Sequence, residues 1–470
     1  MSKDATTLQA LRNIVGAAHA LTDVDVTAAY LREPRGLYHG KALCVVRAGS
    51  PAEVAAVLAF CNAQRLAVVA QGGNTGLVGG QTPDGTGQTI VLSLQRLNKL
   101  REIDTAAHVI VVEAGMTLAG VQHHASEAGL LFPLSLASEG SCTIGGNLAT
   151  NAGGTAVLAY GNARDLAIGL EVVLADGRVL NGLSKLKKDN TGYDLKHLFM
   201  GSEGTLGVIT AASLKLFPKP RAVETAFIGL AGPDQALALL GLAQAQAGGA
   251  LKTFEIMPRI GIDFVSRHAP GSRDPLRGPH AWYVLMELAA ETGGDLKAAA
   301  LGLLETALTD GLIEDATLAE TGVQRAALWR LREDLPDMQK REGGSIKHDV
   351  SLPIAAVPEF LRVATAAVLR AMPNARPVPF GHLGDGNIHF NISQPIGADT
   401  AQFLERWQEI NGVVHAIVTA MGGSISAEHG IGQLKRLLLR EVKDPVALQV
   451  MRALKATLDP NGILNPGKVL

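Results

Sequence analysis

The stretch Leu136-Ala-Ser-Glu-Gly-Ser-Cys-Thr-Ile-Gly-Gly-Asn-Leu-Ala-Thr-Asn-Ala-Gly-Gly-Thr155, which we call the second tract, consists mostly of small and polar residues. An earlier stretch, Gln71-Gly-Gly-Asn-Thr-Gly-Leu-Val-Gly-Gly80, which we call the first tract, has five glycines in ten residues. Bare backbone amides of this kind can approach a phosphate without obstruction by side chains. Two separated tracts therefore favour a long ligand, such as a dinucleotide, held between backbone amides.

The first tract follows residues 43–70, which we predict to form a strand, a helix and a second strand. Within them, Ser50-Pro-Ala-Glu53 reads as a capping box with proline at the first helical position. The first tract matches neither G-x-G-x-x-G nor G-x-x-x-x-G-K-[ST], so the Rossmann and P-loop folds lose their sequence support. A plain surface loop is the alternative for this tract taken alone.

Composition narrows the class of protein. The chain has 470 residues, 47% hydrophobic and 18% charged, which predicts a globular protein of two or three domains. A net charge of -2 gives no overall positive electrostatic field that would attract nucleic acid. The sequence contains no uncharged run of about 18 apolar residues, so we predict no membrane span. The three cysteines are too few and too separated for a disulfide framework or a usual iron–sulfur cluster, so we expect a cytoplasmic protein.

The stretch Phe380-Gly-His-Leu-Gly-Asp-Gly-Asn-Ile-His-Phe-Asn391, which we call the His hairpin, combines a glycine turn with two histidines. Ile388 and Phe390 alternate with His389 and Asn391, in the period-two pattern of a half-buried strand. We therefore expect His389 and Asn391 to share one face, toward which the turn can fold His382.

A metal site is the chemical interpretation of this hairpin. His382 and His389, together with Glu428 of Ser426-Ala-Glu-His429, offer two imidazoles and a carboxylate, the ligands that zinc takes in an open catalytic site. His429 would then serve as a base. The alternative is a set of hydrogen-bonded structural histidines, but buried imidazoles and a carboxylate are costly unless they are paired or coordinated.

Changes along the chain suggest three segments. Residues 1–217 carry the glycine tracts, and Pro218 and Pro220 mark a boundary. From 218 to 458 the pattern changes to strands alternating with helices rich in alanine and leucine, as in an α+β domain. The tail, 459–470, follows the last predicted helix.

Taken together, the two tracts, Gly201-Ser-Glu-Gly-Thr-Leu-Gly207, the His hairpin and Asn465-Pro-Gly-Lys468 resemble the FAD-linked oxidases of the vanillyl-alcohol oxidase and p-cresol methylhydroxylase superfamily. Within it the likeness is to the D-2-hydroxyacid dehydrogenases, including those that act on D-2-hydroxyglutarate. The resemblance covers nearly the whole chain. It implies an α+β fold with a two-part FAD-binding domain of the p-cresol methylhydroxylase (PCMH) type at 1–217, to which 459–470 returns, and an α/β cap domain of the FAD-linked oxidase C-terminal type at 218–458.

The resemblance also implies an activity. An FAD-dependent dehydrogenase would oxidise a D-2-hydroxy acid, with D-2-hydroxyglutarate preferred, to the 2-oxo acid by metal-assisted proton removal and hydride transfer to flavin N5. D-lactate and glycolate are alternative substrates. A non-redox flavin transferase of the alkyl-dihydroxyacetone-phosphate synthase type, a zinc hydrolase and a non-catalytic flavin subunit are rival functions.

Cofactor contacts follow from the resemblance by motif. Covalent members use a histidine where this chain has Asn74-Thr75, so noncovalent FAD is expected. The implied FAD-binding residues are Gly72, Gly73, Asn74, Thr75, Gly76, Leu77, Ser138, Gly140, Ser141, Thr143, Gly146, Asn147, Asn151, Gly153, Glu203, Gly204, Gly207, Ile209 and Asn465.

Substrate contacts are implied in the same way for Arg332, Lys347, Asn391 and His429. For Arg332 taken alone, a solvated charge is the alternative. Pro336 departs from the hydroxyglutarate pattern, which has a threonine there, so the substrate is left open. The expected electron acceptor is an electron-transfer flavoprotein or a quinone, and a homodimer is possible. Zinc is expected, although manganese and iron accept the same ligands.

Overall fold

The structure, a computed structural model, describes residues 3–291 and 295–470. These residues form two compact units. The first comprises the described residues up to Gly153 together with Gly161–Lys219 and Glu428–Leu470, and the second comprises Gly154–Tyr160 and Pro220–Ala427. Both units combine helices and sheets, which agrees with the predicted α+β class.

The helices and strands of the described residues are numbered here in chain order. The α-helices are α1 (Lys3–Val15), α2 (Val24–Leu31), α3 (Pro51–Gln64), α4 (Leu118–Glu127), α5 (Ile144–Ala149), α6 (Val157–Tyr160), α7 (Ala163–Leu166), α8 (Lys196–Phe199), α9 (Pro233–Ala247), α10 (Arg259–His268), α11 (Leu296–Thr309), α12 (Gly322–Glu333), α13 (Leu335–Lys340), α14 (Val357–Ala371), α15 (Thr400–Glu405), α16 (Trp407–Ala420), α17 (Arg436–Val442) and α18 (Pro445–Leu458). The strands are β1 (Ala20–Leu21), β2 (Cys44–Arg47), β3 (Val68–Gln71), β4 (Ile90–Ser93), β5 (Leu100–Asp104), β6 (Val109–Glu113), β7 (Leu130–Leu131), β8 (Ala167–Val173), β9 (Val179–Gly182), β10 (Val208–Lys215), β11 (Phe217–Pro218), β12 (Ala222–Leu230), β13 (Leu251–Pro258), β14 (Trp282–Ala290), β15 (Asp315–Leu318), β16 (Ser345–Ile346), β17 (Asp349–Ser351), β18 (Arg376–His382) and β19 (Asn387–Ser393). Among these described residues, no helix has the length and apolar character needed to cross a membrane.

A four-stranded sheet in the first unit has the order β1-β2-β4-β3, with β4 parallel to both neighbours β2 and β3. Helix α3 begins as predicted, because the Ser50 hydroxyl accepts the N–H of Glu53 at 3.2 Å and proline occupies the first turn. It ends at Arg65 in a left-handed conformation, φ 54°. The predicted strand, helix and strand are present, but β4 lies between the two strands rather than beyond them.

A second sheet of the first unit has the antiparallel order β5-β6-β10-β8-β9. The turn between β8 and β9 contains Gly177 at φ 87°, and the carboxylate of Asp176 accepts the N–H of Arg178 at 3.0 Å. Helix α5, which holds part of the second tract, contacts β10 of this sheet. The sheet thus supports the second tract.

The second unit is built on one large sheet. Its strand order is β15-β12-β14-β13-β18-β19-β16, with β17 also paired to β19. A core of aliphatic and aromatic residues on one face includes residues of α9, α11, α14 and α16, and a smaller core on the other face includes residues of α10, α12 and α13. Both faces are therefore covered by helices, and polar groups on the sheet are buried beneath them.

The His hairpin forms β18 and β19, whose antiparallel register pairs Phe380 with His389 and His382 with Asn387. Ile388, Phe390 and Ile392 are fully buried in the larger core. Residues paired across antiparallel strands lie on the same face, so the histidines and Asn391 occupy the opposite face. The predicted alternation is confirmed.

The C-terminal segment differs from the predicted boundaries. Helices α17 and α18, expected in the cap up to residue 458, belong to the first unit, as does the tail. There the backbone N–H of Asn465 donates to the oxygen of Val68 at 2.8 Å, beside β3. The second unit also contains a short excursion, Gly154–Tyr160, within the region assigned by sequence to the FAD domain.

Candidate active site

The two glycine tracts meet inside the first unit. A Cβ atom on Gly72 would overlap the hydroxyl of Thr143, and a Cβ on Gly73 would overlap the backbone oxygen of Ser141. Only glycine permits this approach, which lays the backbone of the first tract against that of the second. The sequence-based expectation of paired tracts thus has a physical counterpart in the fold.

Asn74 fixes the conformation of the first tract. Its backbone is left-handed, φ 55°, a region that asparagine tolerates better than most residues. Its side-chain amide donates to the backbone oxygens of Ala29 and Arg32 at 2.8 and 2.9 Å, at the end of α2. Asn74 therefore holds the first tract against the end of α2.

Within the described residues, the second tract contains two buried side-chain polar atoms without a hydrogen-bond partner, the hydroxyl oxygen of Thr143 and the amide nitrogen of Asn147. Buried hydroxyls are normally paired, so an unpaired one beside a backbone cradle suits a polar ligand. Together with the glycine approach, this donor set fits a phosphate-bearing cofactor such as FAD.

Glu203 has a structural function that its motif did not reveal. Its side chain is buried and its backbone is left-handed, φ 52°. One carboxylate oxygen accepts the N–H of Ile431 at 2.7 Å and the other accepts the N–H of Gly432 at 2.8 Å. Burial raises the pKa of Glu203, and these hydrogen bonds and the charge of Lys435 oppose that rise. The carboxylate thus holds residues 430–432, immediately after His429.

Asn465 joins three segments of the first unit. Its side-chain amide donates to the backbone oxygens of Gly80 and Glu203 at 2.9 and 2.7 Å. Its φ of 44° adds it to Asn74, Asn151 and Glu203 as left-handed residues among the predicted FAD contacts. Such conformations persist where surrounding structure fixes them, often at ligand sites.

The other predicted FAD contacts vary in accessibility. Gly207 and Ile209 lie within the packed interior at β10, where a Cβ on Gly207 would come within 2.7 Å of Val172. The side chain of Ile209 is buried in the core of the first unit, and the contact with FAD expected for these two residues stays a prediction. The remaining predicted contacts lie in the same unit, at or beside the two tracts or in the turn after α8; they are Thr75, Gly76, Leu77, Ser138, Gly140, Ser141, Gly146, Asn147, Asn151, Gly153 and Gly204.

In the second unit, the polar face of the His hairpin brings the two predicted histidine ligands together. The rings of His382 and His389 have centroids 5.5 Å apart and planes at 80°. His382 is buried and His389 is half-buried. Nδ1 of His389 lies 3.9 Å from a carboxylate oxygen of Asp349, on β17. Two imidazoles in this arrangement are within the spacing that a shared ligand requires.

Glu255 of β13 lies beneath this face, fully buried. One oxygen is 2.5 Å from Nδ1 of His382, and the other accepts the Nε–H of Arg332 at 2.7 Å. Burial alone would raise the pKa of Glu255, but the interactions of its carboxylate with His382 and Arg332 outweigh that effect and lower the pKa to about 2. The sequence analysis did not identify Glu255; its signal is a carboxylate flanked by the apolar residues Phe254 and Ile256.

Arg332 is buried rather than solvated, so the alternative of a surface charge is excluded. Its guanidinium carbon lies 4.8 Å from the centre of the Phe380 ring. Glu255 engages Nε, while a guanidinium carries further N–H groups on its two other nitrogens. Pro336, at the position where the hydroxyglutarate pattern has a threonine, lies in the first turn of α13. Helix α13 directly follows α12, the helix that carries Arg332.

Asn391 has its side chain fixed by a partner that the sequence did not indicate. Its amide donates to the side-chain oxygen of Gln339 at 2.9 Å, and the amide of Gln339 donates to the hydroxyl of Ser393 at 2.9 Å. All three residues are buried. Lys347 is half-buried between β16 and β17.

Glu428 and His429 begin the last segment of the first unit. There a Cβ on Gly153 would lie 2.9 Å from a carboxylate oxygen of Glu428, so Gly153 leaves space for that side chain. In the second unit the preceding chain is paired through Ser424 with Ser351, next to β19, by backbone hydrogen bonds of 2.8 and 3.2 Å. Of the predicted ligands, His382 and His389 belong to the second unit and Glu428 belongs to the first.

Comparisons with known proteins identify both parts of the chain. The model of an FAD binding domain matches residues 42–182, and the model of the C-terminal domain of FAD linked oxidases matches residues 219–469. The mitochondrial D-2-hydroxyglutarate dehydrogenase of Bos taurus is 43% identical over 434 residues, which cover 92% of this chain and 77% of the relative. The D-2-hydroxyglutarate dehydrogenase of Xanthomonas citri pv. viticola is 38% identical over 427 residues, covering 91% and 89%.

The fold is also found in a solved structure. The crystal structure of p-cresol methylhydroxylase with substrate bound matches with a TM-score of 0.78 and 16% identity, over 100% of this chain and 97% of the other. At that identity the match concerns the fold alone. With the domain models and the relatives, it leads to one conclusion: the chain belongs to the FAD-linked oxidases, in the group of the D-2-hydroxyglutarate dehydrogenases.

Proposed function

We propose that this protein is an FAD-dependent dehydrogenase that oxidises a D-2-hydroxy acid, with D-2-hydroxyglutarate as the preferred substrate, to the 2-oxo acid. The observation that carries the proposal is the polar face of the second unit, where His382 and the buried Arg332 share the carboxylate of Glu255. A site for a 2-hydroxy acid needs a histidine that can bind a metal and a cation that can bind the substrate carboxylate. Both relatives above are named for D-2-hydroxyglutarate.

The cofactor is FAD, bound noncovalently. We assign its pyrophosphate to the first tract and its flavin side to the second tract, supported by the glycine approach and the buried hydroxyl of Thr143. When bound, FAD supplies a two-electron acceptor for the hydride released from C2 of the substrate. The two tracts would orient it through backbone amides rather than through a covalent bond.

A divalent metal, zinc in the first instance, is proposed at His382, His389 and Glu428. Two imidazoles and a carboxylate leave an open position, as catalytic zinc sites do. A bound metal lowers the pKa of a coordinated hydroxyl. Asp349, beside His389, is suited to a supporting hydrogen bond to that ring.

The chain's own residues would divide the remaining work. A neutral ring nitrogen of His429 takes the proton from the 2-hydroxyl as the C–O bond becomes a carbonyl. Arg332 and Lys347 hold carboxylate oxygens, and the amide of Asn391, held by Gln339, orients the substrate. A second carboxylate makes better use of two cations than the single carboxylate of lactate or glycolate can.

Anaerobic reduction of the bound flavin tests this proposal. A panel of D- and L-enantiomers of 2-hydroxyglutarate, malate and lactate, with glycolate, is mixed with the purified protein, and the loss of visible flavin absorbance is followed. We expect D-2-hydroxyglutarate to give the highest rate and the L-enantiomers to give none. Failure of every 2-hydroxy acid to bleach the flavin would contradict the dehydrogenase and favour the non-redox transferase.

A separate electron acceptor and a cytoplasmic location are part of the proposal. The cysteines Cys44, Cys61 and Cys142 are buried and free, which leaves an electron-transfer flavoprotein or a quinone as the expected oxidant of reduced FAD. The bovine relative is named as mitochondrial, so cell fractionation is the relevant check on location. Rapid reoxidation of the reduced FAD by an electron-transfer flavoprotein would support that protein as the electron acceptor.

A further inference from the structure

The second unit contains a buried carboxylate whose two oxygens serve different chemical groups. Glu255 lies on β13, directly opposite His382 in the pairing of β13 with β18. A fully buried carboxylate is costly unless both oxygens find partners, and a strand in a packed core would more cheaply carry an apolar residue there. The position of Glu255 therefore calls for a function beyond packing.

The first partner is a predicted metal ligand. An oxygen of Glu255 lies 2.5 Å from Nδ1 of His382. When a carboxylate accepts the Nδ1–H of an imidazole, the lone pair is placed on Nε2, the ring is fixed in orientation and the ligand becomes more basic. His382 is thus prepared to coordinate through Nε2.

The second partner is a predicted substrate residue. The other oxygen of Glu255 accepts the Nε–H of Arg332 at 2.7 Å, and the guanidinium also lies over the Phe380 ring. Because the guanidinium is planar, a hydrogen bond at one edge and an aromatic ring at one face fix its orientation. The nitrogens at its opposite edge then have a defined direction.

We infer that Glu255 is a positioning residue that fixes His382 for metal binding through Nε2 and, with its other oxygen, orients Arg332 toward a substrate carboxylate. The inference rests on the proposed function, because it presumes a metal at His382. It adds a coupling between the two ends of the site: one side chain sets the geometry of both the metal and the carboxylate contacts.

A second buried carboxylate on the same sheet face provides a matched control. Glu287 of β14 receives paired hydrogen bonds of 2.9 Å from Arg325 of α12, and further ones from Trp329 and Thr225. Like Glu255 it anchors α12 to the sheet through an arginine. In the described part of the chain its recorded partners include no histidine.

The experiment measures zinc affinity rather than activity alone. Full-length, flavin-loaded protein is depleted of metal and titrated with zinc in competition with a chromophoric chelator, for the wild type, Glu255→Gln and Glu287→Gln. We expect Glu255→Gln to weaken zinc binding by about 10- to 100-fold, the usual cost of losing a carboxylate behind a histidine ligand. Glu287→Gln should leave the zinc affinity unchanged, although both variants lose stability.

Kinetics with saturating zinc provide the second measurement. Glu255→Gln should raise KM for D-2-hydroxyglutarate, because the released guanidinium of Arg332 no longer has a fixed orientation. A Glu255→Asp variant, which keeps the charge and so the fold, should also weaken zinc binding because its shorter side chain cannot reach both partners. Wild-type zinc affinity and KM in both Glu255 variants would overturn the inference.

The failure of the proposed function would look different. If the wild type itself binds no zinc or other divalent metal, the metal role of His382 falls, and with it the inference. If the wild type binds zinc and the Glu255 variants bind it equally well, the proposed function survives and only the positioning role is wrong.

Discussion

At the scale of single residues, buried carboxylates fix the positions of backbone and side-chain groups by hydrogen bonds. Glu203 and Glu255 are both buried, and each uses both carboxylate oxygens. Those of Glu203 accept two backbone N–H groups, whereas those of Glu255 contact the side chains of Arg332 and His382. Glu33, in the first unit, is a third example: its oxygens accept the N–H groups of Arg35 and Leu37 at 2.7 and 2.6 Å. Losing a charged acceptor from two buried donors is expensive.

The first prediction concerns the loop after His429. Glu203→Gln replaces one acceptor oxygen by a donor, which faces a backbone N–H of Ile431 or Gly432. We expect a loss of stability of about 1–3 kcal/mol, and a fall in kcat because the adjacent His429 loses its support. Thermal melting and steady-state kinetics measure the two effects.

Glu33→Gln is the matched control for Glu203. It breaks the same kind of carboxylate-to-backbone contact in the first unit, far along the chain from His429. It should lower the melting temperature and leave kcat unchanged. An equal fall in kcat for both variants would show that the effect of Glu203→Gln is general destabilisation.

The second prediction concerns Lys468, a buried cation of the first unit. Burial, assisted by the charge of Arg436, lowers the pKa of Lys468 from 10.5 to about 8 against the opposing charge of Asp84. Between about pH 8 and 10.5 the Lys468 amine therefore binds more protons in the unfolded chain than in the folded chain. Over this range its contribution to the free energy of unfolding becomes more stabilising as the pH rises. The pKa shift limits this increase in the free energy of unfolding to about 3 kcal/mol.

Melting curves of the wild type and Lys468→Met across this pH range isolate the effect. Other groups titrate in both proteins, so the difference between the two melting temperatures reports the titration of Lys468 alone. We expect that difference to shift in favour of the wild type as the pH rises above 8. Parallel pH dependences would contradict the depressed pKa of Lys468.

At the scale of elements, the contact between the two tracts is the feature most sensitive to a single methyl group. We predict that Gly73→Ala weakens FAD binding, because its Cβ would overlap the backbone oxygen of Ser141 and push the tracts apart. The flavin-to-protein absorbance ratio after purification measures this. Gly85→Ala meets nothing within 4 Å and should retain full flavin content. Full flavin in Gly73→Ala would contradict the cradle.

Elements also show what the sequence could and could not predict. The alternation of the His hairpin was predictable because each buried side chain is two residues from the next, a local property. The partners of Glu255 were not, because Arg332 is 77 residues away in the chain and His382 is 127 away. The same holds for Glu203, whose partners in the 430–432 loop are 228 and 229 residues away.

The strand order of the first sheet illustrates the same limit. The pattern of residues 43–70 predicts a strand, a helix and a strand, and the capping of α3 by Ser50 follows from neighbouring residues. The insertion of β4 between β2 and β3 depends on hydrogen bonds from a strand beyond the first tract. Local propensity carries no information about that pairing.

At the scale of the whole molecule, the family was predictable from motifs, whereas the extent of each unit was not. Long motifs such as the His hairpin identify FAD-linked oxidases, and the domain models and relatives confirm that membership. The assignment of 428–458 to the first unit depends on contacts such as that of Lys455 with the backbone oxygen of Thr205 at 2.8 Å. Such contacts between distant segments leave no periodic signal.

The central claim is that a metal-dependent site in this chain delivers the hydride of a D-2-hydroxy acid to FAD. It is tested most directly by mixing D-2-hydroxyglutarate anaerobically with the protein as purified, with the chelator-treated protein and with the treated protein after zinc is restored, while flavin absorbance is recorded. The account predicts rapid bleaching in the first, little in the second and recovery in the third, with none for L-2-hydroxyglutarate. Equal bleaching rates in all three samples, or no bleaching in any, would contradict it.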